Sequence, residues 1–411
     1  MNNSPYHLFY GYGIELEYML VDKDTLKAKP LADDLLKNAL GEIGSDFENG
    51  IVTWSNELVL HVIELKSTQP ESDLEALENA FERNISRVNA ILEEWNAMLM
   101  PTAAHPFMDP FTETKLWPHG NNEVYELYNK IFDCKGHGWA NLQSTHLNLP
   151  FSGDAEFAKL HAAIRMILPI LPALCASSPV LDGKLSGMLD SRLRYYKTNQ
   201  AQLPSITGMI IPEAVFSFED YKSTIYAAIE KDIAEYNSED ILDPVWVNSR
   251  GAIARFDRGS IEIRIMDAQE CPAADLAIVN VVVEALKAIL NGKFCSLPDQ
   301  MKLDTRSLAA IFDTMIMSGK QTLIDDTAYL AAFGATAPMT AMELWKIILH
   351  KIPAATTYEK RWQGVIQTIL ERGSLSERII SAINGNPSEE HIKIIYKELS
   401  ACLAENRMFV A

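Results

Sequence analysis

The segment RFDRGSIEIRIMD, residues 255–267, is the stretch that indicates the fold class. Read as a strand, it places its three isoleucines on one face and Glu262 with Arg264 on the other. The isoleucine face requires a hydrophobic core. A carboxylate beside a guanidinium is costly to bury unless other charges neutralise both groups. The pair is therefore either an exposed ion pair or part of a site for a divalent cation and a phosphate.

Composition excludes several classes of protein. The chain has 411 residues, of which 48% are hydrophobic and 22% charged, and its net charge is −19. Such an acidic chain does not suit a general nucleic-acid binder, which needs a basic surface. Its five cysteines form no CxxC pair, which is typical of free thiols in a reducing cytosol. Because we find neither a signal peptide nor a bilayer-length apolar stretch, we expect a cytoplasmic protein without a membrane partner.

Residues 12–21, YGIELEYMLV, alternate between apolar and polar side chains, as a half-buried strand does. Glu15 and Glu17 project side by side from its polar face, within reach of one metal ion or of two neighbouring ones. Taken alone, the pair is more often solvent-exposed.

Residues 51–67, IVTWSNELVLHVIELKS, form a second predicted strand region. Glu64 interrupts a strongly apolar run, where a carboxylate without a partner is unfavourable. Glu57 lies seven residues earlier, on the opposite face of an unbroken strand. If both glutamates enter one site, a bulge or a turn must intervene between them.

A third strand is predicted at residues 140–151, ANLQSTHLNLPF, with Ser144, His146 and Asn148 on one face. A single histidine in a strand is usually structural, but a polar face shared with Asn148 also suits a metal ligand. His105, in the loop AAHPFMDP, is either a site residue or a turn residue.

Cations are concentrated in two segments of this acidic chain. Residues 184–197 contain four of them, including Arg192, and form either an anion site or a solvated loop. The second candidate is Arg250 with Arg255, which leads directly into the Glu262 strand. No GxxxxGK[ST] or GxGxxG motif occurs, so a P-loop or Rossmann nucleotide site is not supported.

Helical spacing predicts helices at residues 72–100 and 273–291, a helix at 154–175 that is broken near its prolines, and a helical region from residue 297 to the end. The fold class is therefore α+β. We expect a curved, mostly antiparallel sheet whose polar faces line one metal-rich trough, with helices on its outer face. We find no linker, so residues 1–411 are predicted to be one catalytic domain, with 292–411 as its helical C-terminal extension.

The order of these pieces resembles the carboxylate–amine ligases of the glutamate–cysteine ligase type 2 family, which share the glutamine synthetase catalytic fold. The matching stretches are YGIELEYMLV, NELVLHVIELKS, AAHPF, STHLNL, SSPVLDGKLSGMLDSR and GSIEIRIMDAQ. Each stretch is weakly specific alone, but six of them in the same order, between residues 10 and 290, carry more weight.

The resemblance implies a role for each candidate side chain. Six of them hold the divalent ions, Mg²⁺ or Mn²⁺, of a metal–ATP complex: Glu15, Glu17, Glu57, Glu64, His146 and Glu262. It further implies that Arg264 meets the transferred phosphate. Arg192 or Arg250 would bind substrate carboxylate or phosphate, while Asn148 and Arg255 lie at the nucleotide.

Two features depart from the family pattern. The family shows His-x-His where this chain has His146-Leu147-Asn148, and Gly-Thr where this chain has Ala103-Ala104. Asn148 can hydrogen-bond a nucleotide or a metal-bound water, but it need not do the work of a histidine. ATP binding is still expected, and the acceptor is left open.

The sequence therefore predicts an ATP-dependent ligase that joins the carboxylate of one small molecule to the amine of another through an acyl phosphate. In the best-known members of the family, these substrates are glutamate and cysteine. A ligase for a different pair, a non-catalytic relative that binds nucleotide or an amino acid, and a metal-dependent hydrolase are the alternatives. A homo-oligomer is left open.

Overall fold

An eight-stranded antiparallel sheet organises the described part of the chain, which is residues 5–120, 122–352 and 361–410 of a computed structural model. In chain order the strands are β1 (Gly13–Asp22), β2 (Asp46–Asn49), β3 (Val52–Asn56), β4 (Val62–Ser67), β5 (Ala97–Met100), β6 (Ser144–Pro150), β7 (Val180–Leu181), β8 (Lys184–Leu185), β9 (Ala252–Arg255), β10 (Ser260–Asp267), β11 (Leu323–Ile324) and β12 (Met339–Thr340). The large sheet has the order β2-β3-β4-β1-β6-β10-β9, and β5 also pairs with β1.

The α-helices surround this sheet and form the C-terminal region. They are α1 (Ala32–Leu40), α2 (Leu74–Glu93), α3 (Pro110–Glu113), α4 (Asn122–Phe132), α5 (His137–Ala140), α6 (Gly153–Ile167), α7 (Pro172–Cys175), α8 (Ser191–Tyr196), α9 (Phe218–Tyr221), α10 (Ala227–Ile233), α11 (Pro244–Val247), α12 (Pro272–Leu290), α13 (Leu297–Met301), α14 (Thr305–Ser318), α15 (Thr327–Ala332), α16 (Ala341–Lys351), α17 (Gln363–Arg372), α18 (Leu375–Ile383) and α19 (Glu389–Ala404). In the described residues, no helix combines the length and apolarity that crossing a bilayer requires. The predicted α+β fold class and helical C-terminal region are confirmed.

Strand register places the acidic side chains on one face of the sheet. In β1, Glu17 pairs with Glu64 of β4, and Glu15 pairs with His146 of β6. Glu262 of β10 pairs with Asn148 of β6. Because directly paired residues of antiparallel strands point to the same side, four strands deliver their polar residues to a common surface.

The opposite face of the sheet is the hydrophobic core. Ile14, Leu16, Leu65, Leu147 and Ile263 belong to one buried cluster and are fully inaccessible. Helices α2, α6 and α12 contribute to the same cluster, and α12 packs against both of the others. Burial of this face fixes the register, since a shift of one residue would expose the whole apolar row.

Two predicted elements differ from the observed ones. The predicted strand 51–67 is a hairpin, because the chain reverses between β3 and β4 and provides the turn that Glu57 required. The predicted helix 72–100 ends at Glu93. Asn96 takes a left-handed conformation (φ 50°), and Ala97–Met100 then continues as β5, paired with β1. The backbone pairing of Ala97–Met100 with the buried strand β1 therefore determines the structure of this segment, although its apolar residues have helical spacing.

A β-bulge in β10 alters the predicted alternation of that strand. Ile263 pairs with Leu147, but Met266 pairs with Thr145, so Arg264 and Ile265 together face a single residue of β6. Such a bulge bends its strand and redirects a side chain, here that of Arg264.

A buried carboxyl joins β6 to helix α12. Thr145 and the backbone of Gln269 both donate to Oδ1 of Asp275, and Oδ2 has no partner among the described residues. Burial raises the pKa of Asp275 to about 8, although these two hydrogen bonds lower it. Asp275 is therefore protonated at neutral pH in the folded protein.

We predict that Asp275→Asn reduces the pH dependence of stability. In the unfolded state this carboxyl loses its proton near pH 4, whereas in the folded state it keeps the proton up to about pH 8. Between these two pH values, only the folded protein has the proton bound. The contribution of Asp275 to stability is thus present at low pH and falls as pH rises, by about 1.4 kcal/mol per pH unit. Urea unfolding at pH 5 and pH 8 should show a larger loss for the wild type than for Asp275→Asn. Equal losses in both proteins would contradict the assignment.

Candidate active site

The polar face of the sheet forms a trough with a cavity at each end. The first, of about 330 Å³, is lined among others by Glu17, Glu57, His146, Glu262, Arg192, Arg255 and Arg264, and we call it the arginine cavity. The second, of about 500 Å³, is lined by residues including Gly13, Glu15, Lys66, Asn148 and Arg258, and we call it the Lys66 cavity. The two cavities follow one another along β1 and β6.

Glu15, His146 and Glu262 lie where the two cavities meet. Each offers one ligand atom, and these three atoms all lie within 4.8 Å of one another. The Nδ1 atom of His146 is 2.8 Å from Oε2 of Glu15 and 3.7 Å from Oε1 of Glu262. Two carboxylates and an imidazole suit Mn²⁺ or Mg²⁺, so this group fits a divalent cation.

Ser144 connects Glu17 to His146. Its backbone N–H and its hydroxyl donate to Oε2 of Glu17 over 2.7 and 3.0 Å, and its Oγ is 2.9 Å from Nε2 of His146. Such contacts orient metal ligands, so Ser144 acts as a positioning residue for both side chains.

The charges of Glu15 and His146 depend on one another. Burial opposes ionisation of Glu15, but the hydrogen bond and charge of His146 prevail and lower its pKa to about 2. Burial likewise disfavours the imidazolium, but Glu15 and Glu17 prevail and raise the pKa of His146. Without a metal, these carboxylates favour the protonated form of His146, whose positive charge offsets part of theirs. Binding a metal through His146 would release this proton.

Glu57 and Glu64 are crowded by the same carboxylates. Burial, followed by the negative charge of Glu17, raises the pKa of Glu57 well above its usual value. Burial and the charge of Glu15 raise the pKa of Glu64 to about 7, although Lys66 opposes this rise. Five glutamates thus share a region where their combined ionisation requires added positive charge.

Arg264 and Arg192 both line the arginine cavity, and Arg192 lies below Arg264. The Nε of Arg264 is 3.0 Å from Oε1 of Glu262, an ion pair without hydrogen-bond geometry. Arg192 is buried below it and donates to the backbone carbonyl of Arg264 over 2.7 Å and to Asp267 over 3.3 Å. Arg192 therefore supports the bulged strand that carries Arg264.

Arg250 does not line either cavity. Its guanidinium forms a bidentate pair with Glu213, at 2.5 and 2.7 Å, and donates to the carbonyl of Ser205 at 3.0 Å. The expectation that Arg250 binds substrate therefore has no geometric support, because its donors are used to hold this loop.

Arg255 and Asn148, both expected at the nucleotide, lie at different ends of the trough. Arg255 lines the arginine cavity and pairs with Asp257 at 3.0 Å. Asn148 lines the Lys66 cavity and donates to Oε1 of Glu15 over 3.0 Å.

The predicted cation cluster at residues 184–197 does not converge. Of its four members, all described, Arg192 alone lines the arginine cavity, whereas Lys184 and Arg194 are exposed and Lys197 pairs with Asp313. His105 is a turn residue: its Nδ1 accepts from the backbone of Phe107 and Met108.

Sequence reasoning missed two features of the site. One is an aromatic wall of the arginine cavity, formed by Tyr125, Tyr128, Trp139, Tyr196 and Trp246. These residues come from short helices far apart in the chain, and no periodicity connects them. The other is Lys66, whose Nζ is 3.0 Å from Oε2 of Glu64. Its spacing of two from Glu64 on a strand was a usable signal.

Comparison with known proteins finds a matching family and a relative over most of the chain. The profile of "Glutamate-cysteine ligase family 2 (GCS2)" matches residues 12–398. An uncharacterised protein of Archaeoglobus fulgidus is 31% identical over 398 residues, covering 97% of this chain and 100% of that protein.

Two solved structures resemble the chain at low sequence identity. Glutamate–cysteine ligase from Francisella tularensis, in complex with AMP, superposes with a TM-score of 0.59 and 11% identity, over 96% of this chain and 88% of that one. A bifunctional glutathione synthetase from Pasteurella multocida gives a TM-score of 0.52 and 12% identity, over 97% of this chain and 52% of that one. These two likenesses show a common fold.

We predict that Mn²⁺ raises the melting temperature of the wild type and has much less effect on His146→Asn. An ion that binds only the folded state adds about 2.7 kcal/mol of stability at a concentration of 100 times its Kd. Thermal melts at increasing Mn²⁺ concentrations test this, with the exposed His350→Asn variant as the matched control. Equal upward shifts in all three proteins would place the ion elsewhere.

Proposed function

We propose that this chain, which belongs to the glutamate–cysteine ligase family 2, is an ATP-dependent carboxylate–amine ligase that forms an amide through an acyl phosphate. One observation carries the proposal. Glu15, His146 and Glu262 converge to within ligand distance of one ion, and Arg264 pairs with Glu262 at the same place. Phosphoryl transfer depends mainly on positioning and on charge stabilisation, which this arrangement supplies.

We assign the nucleotide phosphates to the side of the trough that adjoins the Lys66 cavity. Asn148 and Arg258 line that cavity and can donate to anionic oxygens, and the ammonium of Lys66 adds positive charge there. The substrates to be joined belong in the arginine cavity, where Arg264 can bind a carboxylate and Arg192 supports the strand that carries Arg264. Glu15, His146 and Glu262 then lie between the nucleotide and the carboxylate substrate, where the phosphoryl group is transferred.

When bound, Mg²⁺ or Mn²⁺ neutralises the triphosphate, and Glu15, His146, Glu262 and Glu17 would hold it. The phosphoryl group leaves ADP and forms a bond to an oxygen of the substrate carboxylate. Arg264 donates hydrogen bonds to this group during the transfer. The amine of the second substrate then attacks the acyl carbon and loses a proton. Inorganic phosphate leaves with the former carboxylate oxygen, and the amide remains.

The aromatic wall protects this sequence of steps from water. An acyl phosphate hydrolyses readily, so a ligase must exclude water until the amine arrives. Tyr128 contacts both Trp139 and Trp246, with ring centroids 5.5 and 5.1 Å apart, and forms an apolar boundary on the side facing the sheet. Trp246 is 43% exposed, so this boundary reaches the surface.

Glutamate and cysteine, giving γ-glutamylcysteine, are the first substrate pair to test, as the family name suggests. The test measures ADP and phosphate release in the presence of Mg-ATP against a matrix of acids and amines. Release that requires both an acid and an amine supports the ligase. ATP binding without release for any pair would favour the non-catalytic relative, and turnover without ATP would favour a hydrolase.

We predict that Arg264→Met lowers the rate of ADP release by at least about a hundredfold, as expected when a charged donor to the transition state is removed. Metal binding should persist, because Arg264 is not a ligand. Arg306→Met, a change at an exposed arginine, is the matched control and should retain the wild-type rate. A rate near that of the wild type in Arg264→Met would remove Arg264 from the reaction.

A further inference from the structure

Lys66 is the lysine of the acidic trough, and it is fixed there by several contacts. It lies on β4 two residues after Glu64 and pairs in register with Glu15. Its Nζ is 3.0 Å from Oε2 of Glu64 and 3.4 Å from Oδ1 of Asp46, and it also donates to the hydroxyl of Ser55. The ammonium therefore has three oxygen neighbours from β2, β3 and β4.

One oxygen of the Glu64 carboxylate, Oε2, is already occupied by donors, and the side chain also hydrogen-bonds to Glu15. The Oε2 atom of Glu64 accepts from Ser55 over 2.8 Å in addition to its contact with Lys66. Glu64 is 6% exposed and joins no group of three metal-ligating side chains within the described ranges. A divalent ion at Oε2 of Glu64 would have to displace the ammonium or lie directly beside it, and two cations in such close contact repel each other.

We propose that Lys66 takes the place of one divalent ion in this trough, as a permanent cation bound to Glu64. The ions of the reaction then bind at Glu15, His146 and Glu262, with Glu17 beside them, and Glu64 is not a ligand. This inference rests on the proposed function and revises the role that the sequence implied for Glu64. It also gives the trough a positive charge that no chelator removes.

The number of Mn²⁺ ions that the full chain binds without nucleotide tests this inference. Electron paramagnetic resonance titration of free Mn²⁺ counts the ions directly and needs no activity. We expect Glu64→Gln to bind as many ions as the wild type. We expect Lys66→Met to bind about one more, because the oxygens of Glu64, Asp46 and Ser55 that surround the ammonium are then free to ligate an ion in its place.

Two further variants complete the design. The double variant Lys66→Met with Glu64→Gln should return to the wild-type count, since the new ligand is gone. Lys302→Met changes a lysine whose side chain is 74% exposed and should leave the count unchanged. If Lys66→Met alone does not fold, the ions are counted in the double variant instead. The double variant leaves no buried carboxylate without a cation at residue 64.

Either of two results would overturn the inference: fewer ions bound by Glu64→Gln than by the wild type, or no additional ion in folded Lys66→Met. The failure of the proposed function looks different. In that case the wild type and every variant bind no Mn²⁺, and no acid and amine pair releases ADP.

Discussion

The cost of placing several carboxylates together on a buried surface is the constraint on which this structure depends. Glu15, Glu17, Glu57, Glu64 and Glu262 come from β1, β4, β10 and the turn that precedes β4, and they meet on the polar face of one sheet. Their ionisation there is unfavourable unless cations are present. The protein supplies some of that charge itself, through His146, Lys66 and Arg264. The residual demand for positive charge is what makes the trough suitable for metal ions and a nucleotide.

The hydrophobic core determines where the acidic side chains lie relative to one another. The apolar rows of β1, β4, β6 and β10 are inaccessible to solvent beneath α2, α6 and α12, which fixes the strand registers. Once the registers are fixed, the opposite face must bring Glu15, His146 and Glu262 together. The bulge at Arg264 then adds the one local adjustment that turns a guanidinium toward this group.

Much of this arrangement could be predicted from sequence, since a period of two on a strand determines which side chains share a face. The grouping of Glu15 with Glu17 follows from that rule alone, whereas the position of Arg264 beside Glu262 also depends on the bulge in β10. Arg250 could not be judged in this way, because its partner Glu213 lies in an irregular loop. The aromatic wall and the strand Ala97–Met100 depend on tertiary packing, which local pattern does not contain.

The convergence of Glu15, His146 and Glu262 on a single ion is the central claim. A crystal structure of the full chain grown with Mn²⁺, with anomalous diffraction data collected near the manganese edge, tests it most directly. We expect an anomalous peak in contact with all three side chains, at the junction of the arginine and Lys66 cavities. A trough without such a peak, in crystals where manganese is found at surface carboxylates, would show that these side chains do not share an ion.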